Sequence, residues 1–247
     1  VITRYEFALA RYYPDGSLDT TFGNGGKVLT TFPDLQSGIY DIAVQADGKI
    51  VAAGYAHDGS NYDFALARCQ VNGTLDTGFG SSGLVRTDFT AGSFDVGYEL
   101  ALQADGKIVV AGDHYNPSGN NYDFALARYN ANGSLDTSFS GDGKVTTNFG
   151  ADETAYAVAI DTNGRIVVAG KMSDPNDTDF ALARYTSNGS LDTRFDGDGR
   201  ITTDFNGGGT IRTDIAHAVL LQTDGKIVAA GWATSVNSDA GLARYLP

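Results

Sequence analysis

Cysteine is almost missing from this chain. Its 247 residues include one, Cys69, so no disulfide can form within the molecule. Long apolar runs are missing too. None approaches the ~20 residues of a membrane-crossing helix, which excludes insertion by that route. Positive charge is scarce: 17 Lys and Arg stand against 30 Asp and Glu, a net charge of −13. A chain so poor in cations cannot neutralise phosphates, so nucleic acid is excluded as a partner. Adhesion to anionic lipid is disfavoured for the same reason. No segment holds a sustained helical period. No H-x-x-x-H, C-x-x-C, G-x-S-x-G or P-loop pattern occurs, and the three histidines, His57, His114 and His217, read as ordinary loop residues. Proline is low at 5 residues, while glycine is high at 32, which points to many tight turns rather than a disordered linker. The chain starts at Val1 without a visible leader, so a processed or trimmed N terminus is expected.

What is present is repetition. "DFALARYNANGSLDTSF" (Asp123–Phe139) recurs almost word for word at Glu6–Phe22, Asp63–Phe79 and Asp179–Phe195, with a partial copy at Asp239–Tyr245. The Arg of each LAR lies at Arg11, Arg68, Arg128, Arg184 and Arg244, spacings of 57, 60, 56 and 60. Such a period is the mark of stacked supersecondary units. Each reads as four strands. Strand A (as in "YDIAVQ") is followed by Asp-Gly or Asn-Gly, the pair that suits a tight hairpin turn. Strand B ("KIVAAG"), strand C ("FALARY") and the half-polar strand D ("KVTTNF") complete the unit. Strands A to C are apolar on both faces, so the sheets must be covered on both sides. Polar D belongs at an edge. The expected fold is therefore an all-β propeller of four-stranded antiparallel blades. The 1–247 chain is expected to be a single domain, with repeats at 7–63, 64–123, 124–179 and 180–239 and a partial fifth at 240–247. In that last copy Gly241 stands where the others have Ala, and in the first Glu6 stands for Asp. Cys69 occupies a slot that holds Tyr in the other copies, and is read as a packing substitute.

These words, "FALARYNANGSLDTSFSGDGKVTTNF" with "ALQADGKIVVAG", resemble the delta-60 repeat family of bacterial secreted and surface proteins. The resemblance implies a β-propeller of unknown function in an extracellular or cell-surface setting. It carries over no catalytic residue.

The strand count is odd. Strands run C-D, then A-B-C-D three times, then A-B-C, which makes seventeen where four closed blades need sixteen. The spare strand lies on an edge, or belongs to one of five blades, or fills the matching slot of a second copy. The third option is head-to-tail self-assembly into filaments, with Phe7, Leu9 and Arg11 at one end and Leu242, Arg244 and Tyr245 at the other.

Candidate chemistry is sparse. The recurring Arg128 and Asp123 with Asp136 of LDT read as structural, since an Arg among apolar residues needs a carboxylate and the LDT Asp suits turn amides. Asp142 in "SGDGK" and Asp196 and Asp198 in "DGDGR" suit turns, with weak Ca²⁺ binding as the alternative. Asn72, Asn132 and Asn188 match glycosylation sequons and also tight Asn-Gly turns; the turn is preferred. The loops after B and D differ most between repeats, which makes that face the expected partner surface, for a surface protein or a glycan. Tyr55, Asp113, Lys171 and Trp232 follow the strand-B Gly, and Tyr115 is near; Trp232, the single Trp, is the expected anchor. The expectation is a non-catalytic structural or interaction module. Its alternatives are a carbohydrate-binding module using Trp232 and Tyr115, or a hydrolase with Asp113 and Asp174 converging.

Overall fold

The computed structural model describes residues 5–33, 36–205, 213–234 and 238–247. Among them every regular element is a strand, and the strands number seventeen. β1 (Phe7–Ala10) pairs β2 (Lys27–Thr30) in a two-stranded sheet. β3 (Gln36–Val44), β4 (Ile50–His57), β5 (Tyr62–Cys69) and β6 (Leu84–Thr87) follow as a four-stranded sheet. β7 (Asp95–Leu102), β8 (Ile108–Asn116), β9 (Asn121–Tyr129) and β10 (Lys144–Thr147) make the next. The fourth contains β11 (Asp152–Ile160), β12 (Ile166–Ser173), β13 (Thr178–Tyr185) and β14 (Arg200–Thr203). β15 (Ile215–Leu221), β16 (Ile227–Thr234) and β17 (Ser238–Tyr245) form a three-stranded last sheet. The order C-D, three times A-B-C-D, then A-B-C is the one read from the repeats, and the β-propeller expectation holds. The chain forms two compact units, Val1–Ile108 with Tyr129–Ser134 and Val109–Arg128 with Leu135–Pro247. Most of the long D–A loop "NGGGTIRTDIAH", 206–212, and 235–237 of "WATSVNS" lie outside the described residues.

Strands B and C of the three four-stranded sheets are buried on both faces, as their apolar sequences require. Within the first unit, Phe7 and Phe32 of the first sheet pack on Ala52, Ala56, Ala65 and Ala67 of the second. Within the second unit, Val167, Ala169, Phe180 and Leu182 of the fourth sheet pack on Ala216, Val219, Ile227 and Ala229 of the last. The rule is the same at both junctions. The strand-C Phe-and-Leu face of one sheet meets the small Ala face of the next.

Polar ties repeat alongside. The first four LAR arginines each pair with the LDT aspartate eight residues on, as in Arg128 Nε to Asp136 Oδ2 at 2.8 Å, and lie over the Phe three residues beyond that, 4.5 Å from the Phe139 centroid for Arg128. In the first three, Nη1 donates to a carbonyl of the following repeat: Arg11 to Val71, Arg68 to Ala131, Arg128 to Ser187. Asp136 Oδ1 takes the Ser138 amide. The arginine and the LDT aspartate are thus structural, while Asp123 is held by three amides, from Asn116, Asn121 and Asn148, rather than by arginine. The Asn72, Asn132 and Asn188 turns serve as inter-sheet ties, their carbonyls accepting from Gly23, Gly80 and Ser140. Tyr129 donates to Thr87, and Tyr185 shares a hydrogen bond with Thr147. Cys69 fills the same slot as those tyrosines, buried, and burial pushes its thiol pKa up. That environment disfavours a thiolate and agrees with packing.

Candidate functional site

Strand A does not run straight. In β3, β11 and β15 the register slips by one residue, making Tyr40, Tyr156 and His217 the extra residue of a β-bulge. The cause is visible across the ladder. A Cβ on Gly54, Gly170 or Gly231 would fall 1.9, 1.9 and 1.8 Å from the carbonyl oxygens of Gly38, Thr154 and Ile215. The glycine that ends each "AG" of strand B is therefore what lets the bulged backbone close in. The bulge turns an aromatic ring outward next to the residue that follows the glycine. Tyr40 meets Tyr55 at 5.9 Å and Tyr98 at 5.0 Å, and Tyr55 continues through Tyr62 to Phe94. In the second unit Tyr156 meets His217, which meets Trp232 at 5.2 Å. Two aromatic strips result. Tyr55 and Trp232, named in sequence as partner-surface candidates, lie in them; Tyr40, Tyr98 and Tyr156 were not singled out in sequence, and His217, read there as a loop residue, lies on β15. Their signal was present as an aromatic at the head of each strand A, but a period-2 reading assigns that residue to the ladder.

The remaining expected residues scatter. Tyr115 packs on Tyr122, while Trp232 packs on His217. Asp113 is buried, and Tyr122 nearby has its hydroxyl pKa raised by burial and by the Asp113 charge. Asp174 caps its own turn, accepting the Asn176 and Asp177 amides. Lys171 lies opposite Phe180 on the neighbouring strand. Asp142 and Asp198 accept the amides of Lys144 and Arg200, and each also faces that residue's cationic side chain. At both turns the protein itself supplies the cation. Asp196 takes a left-handed conformation, φ 51°.

Other acids converge that sequence reading did not group. The carboxylates of Asp63, Asp88 and Asp95 lie within 4.8 Å of one another, as do those of Asp177, Asp179 and Asp204. Strand C begins with the first of these acids, strand D ends with another, so the pattern is spaced by a whole C–D hairpin and is invisible locally. Burial raises the pKa of Asp63 to about 6, against the pull of Arg86. In the third sheet Asn148 takes the place of the strand-D acid and donates to Asp123.

The two end sheets carry the largest apolar exposure. In the fourth sheet Leu182 and Ala169 are fully buried and Ala157 nearly so. Their counterparts in the last sheet are Leu242, Ala230 and Ala218. Leu242 is 69% exposed, as is Leu220 beside Ala218, and Trp232 is 60% exposed. A hollow of about 790 Å³ opens there, lined by His217, Ala230, Gly231, Trp232, Asp239 and Ala240. At the other end Ala181, Ala183 and Tyr185 are fully buried, but the matching Ala8, Ala10 and Tyr12 are exposed. Opposite Ala8 stands Leu29, 69% exposed, where the inner sheets place Arg86, Thr146 and Thr202. A second hollow, about 570 Å³, runs along Ala8, Leu9, Ala10, Val28 and Leu29. Phe7 and Leu9 hold the buried side of β1; Arg11 ties to Asp19 at 2.7 Å; Tyr245 packs inward, bonded to Thr203, while Arg244 is exposed.

Residues 3–22, 45–79, 103–139, 162–195 and 222–247 match a family described as a domain of unknown function (DUF5122) beta-propeller. Among solved structures, the chain is similar to the extracellular domain of BT4673 from B. thetaiotaomicron, assigned as a one component system. The identity is 15% and the TM-score 0.38, over 88% of this chain and 23% of that one. The chain thus spans under a quarter of that protein's length. No curated protein matches.

Proposed function

This chain belongs to the DUF5122 β-propeller family, and we propose that it is a non-catalytic interaction module, working outside the cell or on its surface, that associates head to tail with copies of itself. One observation carries this reading. The exposed faces of the end sheets are the two halves of a junction that the inner sheets make four-square, Phe-and-Leu face against Ala face. Contiguous apolar surface of this kind on a chain of net charge −13 marks a binding face. Two different faces that fit each other give a heterologous contact, which extends into a row unless its rotation closes. Sedimentation across a range of concentrations tests the reading. Mass should rise with concentration for the wild type, and Leu220→Glu or Ala10→Glu should each hold the protein at one chain. A wild-type mass of one chain throughout would overturn it.

A further inference from the structure

Charge is not spread evenly along the strands. The sheets have a turn end, where A joins B and C joins D, and a loop end, where B leads to C and D to the next A. With each charged residue of the second unit assigned to the nearer strand end, the turn end holds seven acids and eight cations. There the two signs pair directly: Lys144 with Asp142, Arg165 with Asp161, Arg200 with Asp198, Lys226 with Asp224. The loop end holds ten acids and, among the described residues, one cation, Lys171. The negative charge of this unit therefore gathers at one end of its strands.

In the fourth sheet those acids form a row. Asp152 begins β11 and is exposed. It stands opposite Ser173, so Asp174, also exposed, follows beside it. Asp177 precedes β13, Asp179 is its second residue, and Asp204 follows β14. At the usual strand spacing the row is about 14 Å long, the span of about four extended residues. The exposed pair is capped by backbone: Asp152 takes the Tyr122 amide at 3.0 Å, and Asp174 takes those of Asn176 and Asp177. Tyr122, held by that bond, is 36% exposed and stands edge-on to Tyr115 at 5.3 Å. Its hydroxyl pKa is raised by burial and then by the charges of Asp113 and Asp152. A ring beside carboxylates suits a guanidinium or ammonium, which pairs with the one and stacks on the other.

We propose that the loop end of β8, β9 and the fourth sheet is a docking surface for a basic polypeptide, a Lys- and Arg-rich segment laid across the strand ends. Asp152 and Asp174 pair its cations, and Tyr122 packs against one of them. A second copy of this chain is excluded as the occupant by its own net charge of −13. A metal ion fits less well. Asp152 and Asp174 are strung along the row rather than aimed at one point, and calcium takes oxygen ligands, which leaves the ring idle. Only Asp177, Asp179 and Asp204 converge, within 4.8 Å, and they make calcium the competing occupant.

The probe is a fluorescein-labelled nona-arginine peptide followed by anisotropy at about 50 mM salt, where surface charge is weakly screened. Two double variants of equal net charge locate the surface. Asp152→Asn with Asp174→Asn, in which the asparagine oxygen can still accept the amides, should weaken binding about tenfold. Asp142→Asn with Asp198→Asn, at the turn end, should change it less than about twofold. Tyr122→Ser should cost about threefold, and Tyr122→Phe should leave binding as it was. Equal losses in the two double variants would mean that the peptide senses net charge alone, and would overturn the proposal. So would a peptide that does not bind. Calcium that binds in calorimetry at about micromolar Kd, displaces the peptide and loses its site in Asp179→Asn would make the row a metal site and overturn it as well. None of these outcomes bears on self-association, which is read separately by sedimentation.

Discussion

Leu182 and Leu242 occupy the same place in the same word, "LARY", yet the first is fully buried and the second is 69% exposed. Both sit in strand C, paired to strand B in the same register, Leu182 opposite Ala169 and Leu242 opposite Ala230. What differs is the sheet beyond. The fourth sheet is covered by the last one, whereas the last sheet leaves Leu242 and Leu220 exposed. The lesson is that a unit of this fold cannot bury itself. Its ladder hydrogen bonds are internal, but its hydrophobic stabilisation comes from its neighbour, as in other repeat architectures.

The largest expected effect sharpens that division. Gly170→Ala and Gly231→Ala should each destabilise by at least about 4 kcal/mol in chemical denaturation, since the new methyl has no route past a backbone carbonyl. The two should cost alike, because the close approach, 1.9 and 1.8 Å, arises within one sheet. A mild effect at Gly231 alone would mean that the last sheet is not folded as the inner ones are.

The next comparison sets the two leucines against each other. Leu182→Ala removes a side chain from a closed junction and should cost about 3 kcal/mol. Leu242→Ala, measured at a concentration below assembly, should stay within about 0.5 kcal/mol. Equal costs would show that the end face is covered in solution.

The arrangement of the blades was legible in the sequence because everything that sets it repeats. FALARY words, Asp-Gly or Asn-Gly turns and LDT aspartates return every 56 to 61 residues, so strand number and order could be read in advance. The site was legible only in part. Trp232 and Tyr55 stood out by breaking the repeat, and both lie in the aromatic strips. The bulges did not show, because a single extra residue in strand A is indistinguishable from ordinary alternation until the partner strand is known. Nor did the acidic clusters, because Asp63 and Asp88 are brought together by a hairpin pairing, not by local spacing. The exposed ends were hidden for a third reason. Ala8 and Ala181 are identical letters, and only the presence or absence of a neighbouring sheet separates them.

The last prediction concerns one inner carboxyl that lacks what its counterparts have. Asp95 takes the Phe89 amide and the Ser93 hydroxyl, and Asp214 takes the amides of Phe205 and Thr234. Glu153, at the same place in the fourth sheet, is fully buried; its carboxylate takes the amides of Ala151 and Phe149, but Oε2 has no hydrogen-bond partner. Burial, reinforced by the charges of Asp123 and Asp152, raises its pKa from 4.5 to about 7. The folded protein therefore keeps a proton that the unfolded chain has already released. The associated stability is fully present below pH 4.5 and is lost as pH climbs through 7. Glu153→Gln stays neutral throughout. Wild type and variant should be close at pH 4.5, and by pH 8 the variant should be the more stable by about 2 kcal/mol. Acids held low, such as Asp58 at about 2, release their contribution only in more acidic solution and do not blur this window. A gap between the two denaturation curves that stays constant from pH 4.5 to 8 would mean that Glu153 is ionised in the folded blade, with a partner for Oε2.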